Sequence, residues 1–133
     1  MSEHDEQVKL FQWARLSEGR WPELALLFAI PNGGKRHVAV ARKLKAEGVK
    51  AGVPDICLPV SRGRYHGLFI ELKHGKNRTQ TNQRRWLEDL GMEGYCARVA
   101  FEFEGAKQLL EDYLAGVLPV GPAVLREVLR VAL

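Results

Sequence analysis

The fold of this chain is decided by residues 52–74, which have the sequence GVPDICLPVSRGRYHGLFIELKH. Two apolar runs, Ile56–Val60 and Leu68–Leu72, flank a turn-like centre at Ser61–Arg64. Short apolar runs separated by turn residues are typical of a β-hairpin. The sequence therefore predicts two antiparallel strands joined by a loop.

The charged residues of this stretch are spaced so that they could form a site. Asp55 precedes the first strand, and Glu71 and Lys73 lie two residues apart near the end of the second. Side chains two apart on a strand point to the same face, so Glu71 and Lys73 point together while the apolar residues that alternate with them point the other way. Two carboxylates and an ammonium in one place could hold a divalent metal and a phosphate. A charge pair on an exposed strand would have the same spacing.

The composition and the charge distribution favour a globular domain with a polyanionic partner. The chain has 133 residues, of which 46% are hydrophobic and 27% charged, as in a domain with its own core. The net charge is +4, and residues 35–85 hold 13 of the 20 lysines and arginines but 3 of the 16 acids. Lysine and arginine that neutralise phosphates release condensed counterions. A solvated basic face would look the same, but two of the three acids are Asp55 and Glu71, which favours a functional interpretation.

Several other classes of protein are disfavoured by the sequence. The N-terminal residues are acidic, unlike a signal peptide, and the longest apolar run, Leu24–Ile30, is too short to span a bilayer. No membrane partner is expected. Cys57 and Cys96 lack the spacing of a zinc site and are expected to be reduced, which predicts a cytoplasmic protein. The four histidines show no metal-binding spacing, and no Walker loop or serine nucleophile elbow is present.

The remaining elements are predicted from apolar periodicity and from capping residues. Ser2 and Asp5 form a capping box that opens a helix, which runs to about Ser17. Leu24–Ile30 is either a buried strand or a short apolar segment. The elements expected further along are a helix at His37–Glu47, a helix at Thr81–Leu90 that Gly91 ends, a strand at Tyr95–Phe101 and a helix at Gly105–Leu114.

Three polar features of these elements could serve function or structure. Glu3 lies on the apolar stripe of the first helix, so it either points inward or merely favours the positive end of the helix dipole. The loop at residues 31–36, PNGGKR, either contacts a phosphate or is an ordinary turn. Arg84 and Arg85 lie off the apolar stripe of their helix and suit phosphate contacts, whereas Trp86 is expected in the core.

The composition changes after residue 115. Pro119, Gly121 and Pro122 break the chain, and the apolar residues that follow suggest a short amphipathic helix started by Pro122. This helix would pack either on the domain or on a second subunit. The sequence thus predicts a domain at residues 1–115 and a C-terminal tail at residues 116–133.

The chain resembles the virus-type replication-repair nuclease (VRR-NUC) family of the PD-(D/E)xK nuclease superfamily. The resemblance covers residues 2 to about 114 and rests on several motifs in the expected order. These motifs are Glu3-His4 with Gln7 and Trp13, Pro31-Asn32-Gly33-Gly34, LKAEGVKA at residues 44–51, Gly52-Val53-Pro54-Asp55, Glu71-Leu72-Lys73, and Gln83 with Trp86. The implied fold is α/β, a restriction-endonuclease-like PD-(D/E)xK core with a mixed β-sheet flanked by α-helices.

The resemblance also implies a metal site. Mg²⁺, for which Mn²⁺ could substitute, would be bound by Asp55, Glu71 and the main-chain carbonyl of Leu72. This set agrees with the preference of Mg²⁺ for hard oxygen ligands.

Roles in catalysis and in DNA binding follow from the same resemblance. Lys73 would be the catalytic lysine, Glu3 would reach the site directly or through water, and Gln83 would support the lysine or a phosphate. The catalytic set is therefore Glu3, Asp55, Glu71, Lys73 and Gln83. The candidate DNA contacts are Asn32, Gly33, Gly34, Lys35, Arg36, Lys76, Arg78 and Arg84.

The implied function is hydrolysis of DNA phosphodiester bonds by a metal-dependent endonuclease. Small stand-alone members of the family, often from phage, resemble structure-selective enzymes for branched DNA such as Holliday junctions. We therefore expect branched DNA as the substrate and a homodimer, because two-fold symmetry presents two sites to two strands. The alternatives are a less selective or restriction-type nuclease on the same site, and a DNA-binding module that lacks catalysis.

Overall fold

The computed structural model of the chain describes residues 1–31 and 37–118. The helices within those residues are α1 (Glu3–Leu16), a 3₁₀ helix (Pro22–Leu26), α2 (Val38–Ala46), α3 (Thr81–Met92) and α4 (Glu102–Leu114). The strands are β1 (Phe28–Ala29), β2 (Ile56–Leu58), β3 (Leu68–Lys73) and β4 (Cys96–Phe101). Residues 32–36 of the predicted loop at 31–36, and the predicted helix in the C-terminal tail, lie outside the described residues.

The four strands form one mixed sheet in the order β1-β2-β3-β4. β2 and β3 are antiparallel, with Ile56 opposite Ile70, which confirms the predicted hairpin. β3 and β4 are parallel, from Leu68 opposite Cys96 to Lys73 opposite Phe101. A parallel pair needs a long crossover connection, and α3 supplies it here. The predicted mixed sheet flanked by helices is therefore confirmed.

The core lies between one face of this sheet and the helix pair α1 and α4, which contact each other. Alternate residues of β3 are fully buried in that core, as its period-two pattern predicts. The buried apolar residues of the three elements are Leu68, Ile70 and Leu72 of β3, Leu10 and Ala14 of α1, and Ala106, Leu110, Tyr113 and Leu114 of α4. The predicted capping box of Ser2 and Asp5 is present at the start of α1.

Four element boundaries differ from the prediction. β2 ends at Leu58 instead of Val60 because Pro59 has no N–H for the ladder, and the amide of Val60 bonds back to the carbonyl of Leu58. α3 continues through Gly91 to Met92, and Gly94, with φ of 92°, occupies the left-handed position after the helix. α4 begins at Glu102, three residues early. Residues 24–30 are mostly 3₁₀ helix and loop, with strand only at 28–29.

The expectation that Trp86 lies in the core is wrong. Trp86 is half-buried, and none of the residues of α3 is fully buried. Its side chain instead lines an open cavity of about 970 Å³ together with Lys50, Asn82 and Arg85. Helical spacing identifies the apolar face of α3 but does not tell whether another element covers that face.

The packing of α1 gives a direct test of the core. Leu10 is 0% exposed and Leu16, on the same helix, is 88% exposed. We expect Leu10→Ala to lower the free energy of unfolding by about 2–5 kcal/mol, because truncation leaves a cavity in the core. Leu16→Ala removes the same atoms from an exposed position and should change it by less than about 0.5 kcal/mol. Urea denaturation measures both, and equal effects would contradict the docking of α1 described here.

Candidate active site

Asp55 is held between two neighbouring strands at the start of β2. Its main-chain carbonyl accepts a hydrogen bond of 2.7 Å from the amide of Ile30, just after β1. Its side-chain Oδ2 accepts a hydrogen bond of 2.8 Å from the amide of Leu72 in β3. The carboxyl group of Asp55 therefore lies directly beside the strand that carries the other predicted site residues.

Glu71 is a buried acid next to Asp55. Its side chain is 1% exposed, and its Oε2 has no hydrogen-bond partner among the residues that the structure describes. Burial, followed by the hydrogen bond to Asp55 and the charge of Asp55, raises the pKa of Glu71 from 4.5 to about 9. The positive charge of Lys73 acts in the opposite direction but is weaker than each of these causes.

This arrangement fits a divalent cation. The buried Glu71 lies next to the half-buried Asp55, and the charge of Lys73 does not offset the rise in the pKa of Glu71. Oε2 of Glu71, which has no partner among the described residues, is the kind of hard ligand that Mg²⁺ binds. A cation between Asp55 and Glu71 would give that oxygen a partner and would favour the ionised form of Glu71.

Lys73 is held by the start of α3. The lysine is only 6% exposed, and its Nζ donates a hydrogen bond of 3.0 Å to Oε1 of Gln83. The same Oε1 accepts the amide of Gln80 at 2.8 Å, as part of the capping box of α3. Because the first turn of the helix fixes Gln83, it also fixes the position of the lysine ammonium.

Gly52 allows the loop before β2 to approach α3 closely. Its φ is 87°, and a Cβ at this position would lie 3.0–3.1 Å from atoms of Asn82 in the first turn of α3. A side chain larger than hydrogen would therefore strain the backbone and push the loop away. This contact brings Asp55 and Gln83 to the same end of β3.

Glu3 lies near the site but not in a compact group with the other acids. Its Oε2 accepts a hydrogen bond of 2.8 Å from the side-chain amide of Asn77, and its charge contributes to raising the pKa of Glu71. The orientation agrees with an inward-pointing Glu3. Glu3, Asp55 and Glu71 do not, however, form a group whose ligand atoms all lie within 4.8 Å of one another. In residues 1–31 and 37–118, the one such group of three His, Cys, Asp or Glu residues is Glu6, His74 and Glu102.

The other predicted contacts are placed as follows. The amide of Leu72 bonds to Asp55, while the role of its carbonyl as a metal ligand stays a prediction. Lys76 and Arg78 are exposed on the loop between β3 and α3, the loop whose Asn77 contacts Glu3. Arg84 is exposed on α3. The predicted contacts at residues 32–36 lie outside the described part of the chain.

Sequence reasoning missed several residues that support the site. Asn77 and Gln80 orient Glu3 and Gln83, respectively. Apart from these supporting residues, sequence reasoning also missed Glu6, one turn after Glu3, which is buried and accepts a hydrogen bond from the amide of Phe103. Gln80 lies three residues before Gln83, which is the spacing of a capping box, so its role could have been predicted. The contact of Asn77 with Glu3 joins residues 74 positions apart and leaves no local signal in the sequence.

Asp55, Glu71 and Lys73 thus meet at the end of a hairpin strand on a mixed α/β fold. The family model of the VRR-NUC domain matches residues 2–101. The chain therefore belongs to the VRR-NUC domain family, a nuclease family, which confirms the resemblance.

Comparison with solved structures supports the same assignment. The chain is similar to a "VRR_NUC domain protein", with a TM-score of 0.74 and 30% sequence identity. The similarity covers 90% of this chain and 98% of the other. A search of curated proteins gave no match.

The raised pKa of Glu71 predicts how the stability of the metal-free protein depends on pH. Between pH 4.5 and about 9 the folded protein keeps a proton on Glu71 that the unfolded chain has lost. The free energy of unfolding contributed by this group should therefore decrease as the pH rises through that window. Urea denaturation in EDTA measures the effect, and Glu71→Gln, which cannot titrate, should have a flatter profile. Identical profiles for the two proteins would contradict the raised pKa.

Proposed function

We propose that this chain is a divalent-metal-dependent endonuclease that hydrolyses DNA phosphodiester bonds. The observation that carries the proposal is the carboxyl pair of the half-buried Asp55 and the buried Glu71, beside a lysine fixed by Gln83. Oε2 of Glu71 has no hydrogen-bond partner among the described residues. An acid pair of this kind suits a cation, and a fixed ammonium suits the charge that develops on a phosphate. Membership of a nuclease family agrees with both assignments.

The proposed metal ligands are Asp55, Glu71 and the main-chain carbonyl of Leu72. These oxygen ligands suit Mg²⁺, and Mn²⁺ accepts the same ligand type. When bound, the cation would polarise the scissile phosphodiester and make the attacking water more acidic. No helix in residues 1–31 and 37–118 is long and apolar enough to cross a membrane.

The proposed task of Lys73 is to orient the attacking water and to stabilise charge on the phosphoryl oxygens. Its ammonium has three donors. Within the described residues it donates one hydrogen bond, to Gln83, and its other donors would serve water and phosphate. Gln83 keeps the ammonium at a fixed position, so little reorganisation is needed when charge develops in the transition state. Glu3, held by Asn77, would contribute through a water molecule.

The proposed DNA contacts are exposed basic residues close to the centre in sequence. Lys76 and Arg78 lie on the loop that leads from Lys73 to α3, and Arg84 follows Gln83 in the sequence. Such residues can neutralise phosphates on either side of a scissile bond. Branched DNA as the preferred substrate, a homodimer as the working unit and a cytoplasmic location belong to the same proposal.

Cleavage assays with labelled four-way junctions, flaps and linear duplex, with and without Mg²⁺, test the proposal. We expect Mg²⁺-dependent cleavage with a preference for the branched substrates. Equal cleavage of linear duplex would contradict structure selectivity. Binding without cleavage under any metal condition would favour the DNA-binding module.

The same assay with Lys73→Ala assigns the chemistry to the site. Loss of a donor that stabilises developing charge costs roughly 10²–10³-fold in rate, so cleavage should fall by at least that much. Junction binding should remain largely intact, because the ammonium is buried and the exposed basic residues are unchanged. Lys9→Ala is the matched control, since Lys9 is exposed on α1 and is not a proposed contact. A Lys73→Ala variant that cleaves at the wild-type rate would refute the role assigned to Lys73.

A further inference from the structure

A group of metal-ligating side chains other than the acid pair is present in the described part of the chain. It consists of Glu6 in α1, His74 just after β3 and Glu102 at the start of α4. One ligand atom from each residue lies within 4.8 Å of the ligand atoms of the other two. None of the three has a role in the nuclease centre proposed above.

Glu6 is a carboxylate in the protein interior. It is 4% exposed, and its Oε2 accepts a hydrogen bond of 2.5 Å from the amide of Phe103. Within the described residues, no lysine or arginine nitrogen lies within 4.0 Å of Glu6 or Glu102. A buried carboxylate needs a compensating positive charge, and one amide supplies only part of it.

His74 provides an independent observation. Its Nδ1 is buried and has no hydrogen-bond partner in residues 1–31 and 37–118. Buried polar atoms without a partner are uncommon in folded proteins, and a missing ion is one of their explanations. Within the described part of the chain, a histidine with a ring nitrogen that has no partner, grouped with two glutamates that no lysine or arginine neutralises, is a ligand set that a cation completes.

We propose that Glu6, His74 and Glu102 form a second metal site, which takes a divalent transition ion such as Zn²⁺. The imidazole decides the class of ion, because Mg²⁺ and Ca²⁺ prefer oxygen ligands throughout, whereas Zn²⁺ readily combines histidine with carboxylates. Ligand atoms around a tetrahedral Zn²⁺ lie roughly 3.3 Å apart, so the observed group needs only small side-chain movements to close. The hydrogen bond from Phe103 orients Glu6 in the way that outer partners orient metal ligands.

The ion would connect three elements that meet at this point. α1, the end of β3 and the start of α4 each supply one ligand. Because the unfolded chain would not hold these ligands together, Zn²⁺ binding would stabilise the folded state. The site is independent of the nuclease proposal, since it uses neither Asp55 nor Glu71.

Calorimetric titration of Zn²⁺ into the full chain, freed of metal and held in excess Mg²⁺, tests the proposal. We expect one Zn²⁺ per chain, with an affinity that Asp55→Asn leaves unchanged. His74→Gln and Glu102→Gln should each lower the affinity by at least roughly tenfold, because each removes a ligand. Glu104→Gln, an exposed neighbour on the same helix, is the matched control for Glu102→Gln and should bind as the wild type does.

Two outcomes would overturn the second site. The first is an absence of Zn²⁺ binding by the wild type, which would show that Glu6, His74 and Glu102 do not form a Zn²⁺ site. The second is binding that Asp55→Asn abolishes while His74→Gln and Glu102→Gln retain it, which would place Zn²⁺ in the nuclease centre. Glu102 is exposed, so Glu102→Gln should fold normally even where His74→Gln does not, and circular dichroism verifies this.

Discussion

A buried carboxyl group, that of Glu71, lies next to the half-buried Asp55 at the end of β3, and this constraint shapes the rest of the site. The amide of Leu72 holds Asp55 in place, and β3 carries Glu71 into the same space. Burial, followed by the hydrogen bond to Asp55 and the charge of Asp55, raises the pKa of Glu71 to about 9, and the charge of Lys73 does not offset this rise. A fold that maintains such a pair at neutral pH gains from a cation, and the same cation supplies the chemistry of a nuclease.

The parts of this arrangement that depend on local sequence could be predicted. The hairpin, the common face of Glu71 and Lys73 and the capping box of α1 all follow from residues a few positions apart. The resemblance to the VRR-NUC family added Glu3 and Gln83, which come from other elements. Spacing within a strand or a helix is set by the backbone, which is why such patterns can be recognised without a structure.

The parts that depend on tertiary packing could not be predicted. The bond from Asn77 to Glu3 joins residues 74 positions apart, and the meeting of Glu6, His74 and Glu102 requires three elements to be docked. Trp86 also shows that local patterns do not determine tertiary packing. Its helical spacing is that of a core residue, and yet no element covers it fully. Periodicity identifies the apolar face of a helix or strand, while the whole fold determines which element packs against that face.

The number of protons released when Mg²⁺ binds tests the central claim most directly. Calorimetry at pH 7 in buffers of different ionisation enthalpy measures this number. Because Glu71 keeps its proton in the metal-free protein and must lose it to bind a cation, the account predicts release of about one proton per Mg²⁺ by the wild type. Glu71→Gln should release none. Mg²⁺ binding by the wild type without proton release would contradict the claim that the buried acid pair is the metal site.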